Sequence, residues 1–190
     1  MTTKLINSQN VSILKKRAKR LKTSTSIPHH EALEIIANET GFSSWHEVCE
    51  ANQPFLALES SLKHGFIAIY DRKDAESFHD SKNRFVEDGL GELVCEKRLY
   101  QHYINLIDED RGVPLKELME ESQLNDDFHG TYSHTYLRYL PEKPPATVHD
   151  ALSMLREFMF FLPEFIILNG QLYDMDADET IAQTSLIQRL

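Results

Sequence analysis

The chain has 190 residues, with 20 basic and 30 acidic side chains and a formal charge of −10, a balance that argues against a polyanion-binding surface spread over the whole molecule. This length suits one domain, or one domain with a small appendage, and builds a core that needs no disulfide between Cys49 and Cys95. The opening MTTKLINSQN lacks the apolar stretch of a signal peptide, and the longest apolar run, Met159–Leu168, is broken by Pro163 and Glu164; a bilayer span needs ~20 residues, so a cytoplasmic protein without membrane contact is expected.

Charge is unevenly distributed. Residues 1–52 carry seven basic and five acidic side chains, leaving +2, and the remaining 13 basic and 25 acidic ones leave −12 on residues 53–190. The division predicts a basic helical module over 1–52 and an acidic domain over 53–190.

In chain order, Val11, Leu14, Ala18 and Leu21 form one helical stripe and predict a first helix from Val11 to about Lys22, stopped by Thr23–Ser26. Pro28 suits the first turn of a second helix, with Ala32, Leu33, Ile36 and Ala37 inward. Gly41 reads as a left-handed C-cap with Phe42 folding back. Ser44 and Glu47 read as a capping box for a third helix that carries Trp45, Val48 and Cys49 inward and ends before Pro54.

Beyond Phe55, helices are predicted over 55–63, Leu93–Leu106 (Leu93, Leu99, Tyr103 and Leu106 inward), Leu115–Leu124, Thr147–Phe161 and Thr180–Leu190. Strands are predicted over Gly65–Tyr70 and Thr131–Leu140. Asn169-Gly170 between two apolar runs specifies a type I′ hairpin joining 165–168 to 171–174. The resulting fold class is α+β: a three-helix N-terminal module, then a mixed domain with a small antiparallel sheet and several helices.

No metal or cofactor site and no catalytic residue is assigned. His29 and His30 are adjacent and point to different helix faces, and His30 with Glu34 supplies only two ligands. Asp174, Asp176 and Asp178 begin like a calcium loop, but Glu179 stands where glycine is required and Ser185 where glutamate is. There is no nucleophile elbow and no phosphate loop, and Cys49 reads as a buried, inert thiol.

Two surfaces are candidates for binding. Lys15, Lys16, Lys19, Arg20 and Lys22 form a basic face on the first helix that could grip phosphates. On the strand, Tyr132, His134, Tyr136 and Arg138 alternate onto one face, either a stacking and anion-binding surface or the solvated side of a half-buried sheet.

Ala37-x-x-x-Gly41-Phe42-Ser43-Ser44, with Val48 seven residues after the glycine, is similar to a helix-turn-helix segment of AraC-type regulators. In that geometry His46, Glu47 and Glu50 would face the bases, where carboxylates repel phosphates, so nucleic-acid contact is expected from the first helix. Residues 13–48 also resemble a recurring N-terminal module of poorly characterised bacterial proteins, a basic K-x-x-A-K-x-L helix followed by I-x-H-x-x-A-L-x-x-I-A-x-x-x-G-F-x-x-W. The match includes Lys16, Ala18, Lys19, Leu21, Ile27, His29, Ala32, Leu33, Ile36, Ala37, Gly41, Phe42 and Trp45. Some of those proteins are borne on mobile elements, and some are labelled glyoxalase-related. A glyoxalase fold would need paired βαβββ units with histidine and glutamate ligands on strands, which residues 53–190 do not offer.

The expectation is a non-enzymatic bacterial protein that binds nucleic acid or regulates, as a mobile-element accessory factor if the resemblance holds. The alternatives are an antitoxin- or immunity-like module that binds a basic partner protein through the acidic domain, and an enzyme that uses the Tyr132, His134, Tyr136 and Arg138 face.

Overall fold

The computed structural model describes residues 4–131 and 133–175. The chain packs as two compact units, Met1–Glu59 and Ser60–Leu190.

The first unit contains α1 (Ser8–Thr25), α2 (His29–Glu39) and the start of α3 (Trp45–His64). Val11, Leu14 and Ala18 of α1 pack with Ala32, Ile36 and Ala37 of α2, and Phe42, Val48 and Ala51 close this core. The first helix is longer than expected at both ends. The Asn7 side chain caps its start by accepting from the Asn10 N–H at 2.8 Å. The Thr23 and Thr25 hydroxyls donate back to the Lys19 and Leu21 carbonyls, so these residues extend the helix until Ser26 turns left-handed.

The turn between α2 and α3 follows its sequence signals. Gly41 has φ +86°, the Phe42 N–H reaches the Ala37 carbonyl, and the Gly41 N–H reaches Asn38. These two bonds define a Schellman motif, and Phe42 packs back onto the core. The Ser44 hydroxyl accepts from the Glu47 N–H at 3.1 Å. The return half of the box is displaced by one residue, because the Glu47 carboxylate accepts from the N–H and hydroxyl of Ser43. That pairing holds the Glu47 carboxyl below its usual range, with help from Lys4.

Pro54 does not end the third helix. Val48, Ala51, Phe55, Leu58 and Leu62 are buried along one continuous stripe that passes it. Pro54 itself lies on the exposed side, where the carbonyl that loses its donor can be hydrated. The helix therefore crosses the boundary expected at residue 52.

The second unit is built on a five-stranded antiparallel sheet of order β2-β3-β1-β4-β5. The strands are β1 (Phe66–Asp71), β2 (Phe85–Glu87), β3 (His134–Tyr139), β4 (Phe165–Leu168) and β5 (Gln171–Asp174). The expected hairpin joins β4 and β5, with Asn169 and Gly170 both at positive φ, 48° and 85°. The fold is α+β as expected.

Central β1 is apolar on both faces, and Phe66–Tyr70 are all at most 1% exposed. Phe66, Ala68 and Tyr70 face α7 (Val148–Leu155) through Val148, Ala151, Leu152 and Leu155. Thr147 and Asp150 cap α7 reciprocally, as the sequence indicates. The helix is shorter than expected, yet Phe158 and Met159 beyond it still join this core.

The opposite face meets α5 (Gly91–Tyr103), whose inward stripe is Gly91, Cys95, Leu99 and Tyr103. Leu93, expected inside, is 69% exposed. The helix is turned because Gly91 lies directly on β3: a Cβ built there would be 2.4 Å from the Tyr136 Cβ. The region after α5 also departs from expectation. Leu115–Glu117 makes only a 3-10 turn, and α6 runs over Glu121–Thr131, started by the Gln123 side chain accepting from the Glu120 N–H. Leu124 and Phe128 form its buried edge. Consequently β3 begins at His134 rather than Thr131. Strand β2 and the short α4 (Arg72–Ala75) form where no element is expected from the sequence. The helix expected over 180–190, and the Asp176 and Asp178 part of the calcium pattern, lie outside the described residues.

Three substitutions test this packing. Gly91→Ala should destabilise the protein by ~1–3 kcal/mol through overpacking against β3, whereas Gly130→Ala, at a helical glycine with open space around it, should leave stability unchanged or raised. The Tyr70 hydroxyl is buried without a partner among the described residues, so Tyr70→Phe should be neutral or stabilising by about 1 kcal/mol. Urea denaturation of the three variants measures all of this.

Candidate functional site

On α1 the inward stripe Val11, Leu14 and Ala18 fixes where every other side chain points. At about 100° per residue, Lys22, Lys15, Lys19, Lys16 and Arg20 follow one another around an arc of roughly 160° that starts on the flank beside Val11 and ends on the side away from the stripe. All five are exposed, and none makes an ion pair among the described residues. Arg17, outside that arc, pairs with Glu39 of α2 at 2.9 Å. The 18 residues of α1 include no carboxylate.

The N-terminus of α3, where a helix-turn-helix reader would approach DNA, is occupied. Glu34 of α2 accepts from the Trp45 N–H at 2.9 Å, and Glu47 holds Ser43 as described above. His29, His30 and His46 are exposed, and His46 approaches Glu50 at 3.4 Å. Among the described residues no three metal-ligating side chains come together.

The β3 face is divided by the structure. Tyr132 lies outside the described residues. His134 and Tyr136 do share a face, with ring centroids 6.2 Å apart, but this face is covered by helices rather than solvated. The His134 side chain is 4% exposed, and its Nε2 bonds the Glu164 carboxylate at 2.8 Å. Arg138 is diverted: its Nε donates to Asp88 at 3.0 Å in a largely buried pair.

His134 and Tyr136 open into a cavity of about 280 Å³. Residues that sequence reading did not associate with it complete the walls. Glu92 and Glu96 come from α5, Phe128 and His129 from α6, Arg72 from the start of α4 just after β1, and Ser133 from the residue before β3. The Arg72 N–H donates to the Ser133 carbonyl at 2.8 Å, which fixes that end. Burial, then the nearby Cys95, Glu96 and Glu92, push the Tyr136 hydroxyl upward, so it stays protonated and available as a donor. No local pattern marks this constellation, since its members come from four separated segments that only the fold assembles.

Neither cysteine has the setting of a nucleophile. Cys95 is fully buried, and burial pushes its thiol up to about 12. Cys49, expected to be buried, is only partly so, because Val48 and Ala51 take the inward positions of its helix. No family model, curated protein or solved structure matches this chain.

Thiol titration with Ellman's reagent tests the difference between the cysteines. Cys49 should react in the native protein, and Cys95 only after denaturation. Rapid modification of both in native buffer would contradict the packing of α5.

Proposed function

We propose that this chain is a non-enzymatic nucleic-acid-binding or regulatory accessory factor whose N-terminal unit grips phosphates through α1. The observation that carries this reading is the arc of Lys15, Lys16, Lys19, Arg20 and Lys22, exposed and without ion pairs among the described residues, on a helix without carboxylates. Such an arc suits a sequence-independent backbone contact, whose free energy comes from counterion release. Occupation of the α3 N-terminus by Glu34 and Glu47 disfavours base reading by that helix. The resemblance of residues 13–48 to modules of mobile-element proteins supports a bacterial accessory role.

A second reading rests on the −12 charge of residues 53–190, which suits a basic partner protein, as in immunity- or antitoxin-like pairs. Recovery of one basic protein and no nucleic acid in a pull-down would favour it.

The full chain should bind a duplex oligonucleotide at low salt. Log K should fall against log salt with a slope of roughly −3.6 to −4.5, corresponding to about four or five phosphate contacts at ~0.9 each. Reversing Lys15, Lys16, Lys19 and Arg20 to glutamate should abolish binding while circular dichroism stays native. Reversing the exposed Lys143 should have little effect. Binding that survives the fourfold reversal would remove α1 from this role.

A further inference from the structure

The cavity beside β3 belongs to the second unit and is independent of the basic helix. Its charges are already partly spent on one another. His129 approaches Glu96 at 3.3 Å, and His134 is held by Glu164 at 2.8 Å. Three lining residues, Arg72, Glu92 and Tyr136, have side-chain polar groups without a partner among the described residues.

These groups stand on different walls. Glu92 lies one helical turn before Glu96, so α5 presents two carboxylates to the cavity. Arg72 stands at the end of β1, held to the start of β3 by its backbone. The rings of Phe128 and Tyr136, both largely buried, also line the cavity. A cation alone would leave Arg72 unmatched, and an anion alone would meet Glu92 and Glu96. The arrangement therefore favours a small ligand that carries both signs. A volume of about 280 Å³ falls near the lower end of small-molecule sites, which limits such a ligand to the size of an amino acid.

From this geometry we infer that the cavity is a binding site for a free α-amino acid or a zwitterion of similar size. Its ammonium group sits at Glu92 and Glu96 and its carboxylate at Arg72. Its side chain packs against Phe128 and Tyr136, and the Tyr136 hydroxyl donates to the carboxylate. Charge-assisted bonds at both ends give this site its selectivity against simple acids and simple amines.

The test is thermal unfolding of the full-length protein with each proteinogenic L-amino acid in turn. At least one should raise Tm, by at least about 4 °C at a hundredfold excess over its Kd. The methyl ester and the N-acetyl derivative of that amino acid should each lose most of the shift. Arg72→Gln and Glu92→Gln alter exposed side chains, so unliganded Tm should stay within about 1 °C, while affinity should fall at least tenfold in each. The α1 charge-reversed protein should retain the full shift. The inference is overturned if no amino acid stabilises the protein, if the ester and N-acetyl forms serve equally well, or if both single variants bind like the parent.

Discussion

Burial of β1 on both faces is the constraint on which the second unit depends. Five successive residues, Phe66 to Tyr70, are removed from water, which requires a helical layer on each side of the sheet. On one side α7 supplies an apolar stripe capped by Thr147 and Asp150. On the other, α5 comes close enough only because position 91 has no side chain. The constraint has a cost, visible in the unpartnered hydroxyl of Tyr70. It also creates the cavity. With α5 seated on Tyr136 and Phe128 of α6 packed beside it, Glu92 and Glu96 are brought toward the ends of β1 and β3.

The first unit answers a different problem, because three helices in about fifty residues cannot each stand alone. Its core is small, and much of its order comes from the α2–α3 turn. A left-handed glycine, a returning Phe42 and two carboxylates satisfy the backbone groups that the helix ends expose. Those carboxylates also place negative charge at the start of α3, whereas the basic side chains of this unit are gathered mainly on α1.

How much was legible in the sequence varies with the range of the interaction. The Schellman turn at Gly41, the capping box at Thr147 and the Asn169-Gly170 hairpin were all readable, because each is decided within about six residues. Pro54 was misread because a proline signals a local break, while the stripe from Val48 to Leu62 holds the helix together from outside. The turn of α5 was misread for a similar reason. Leu93 is the more apolar residue, but the sheet selects Gly91 and Cys95 for the contact.

The sequence by itself determined the fold class, the hairpin, the helical turn and the basic face of α1, since these follow from periodicity, backbone preference and charge along one segment. It also placed His134 and Tyr136 on a shared face through the two-residue repeat of a strand. Only the tertiary structure decided that this face is covered, that Arg138 is tied to Asp88, and that Arg72, Glu92, Glu96 and Phe128 line the cavity with His134 and Tyr136. The reason is physical: a cavity is made by the distances between elements, and those distances are set by packing contacts such as Gly91 on Tyr136.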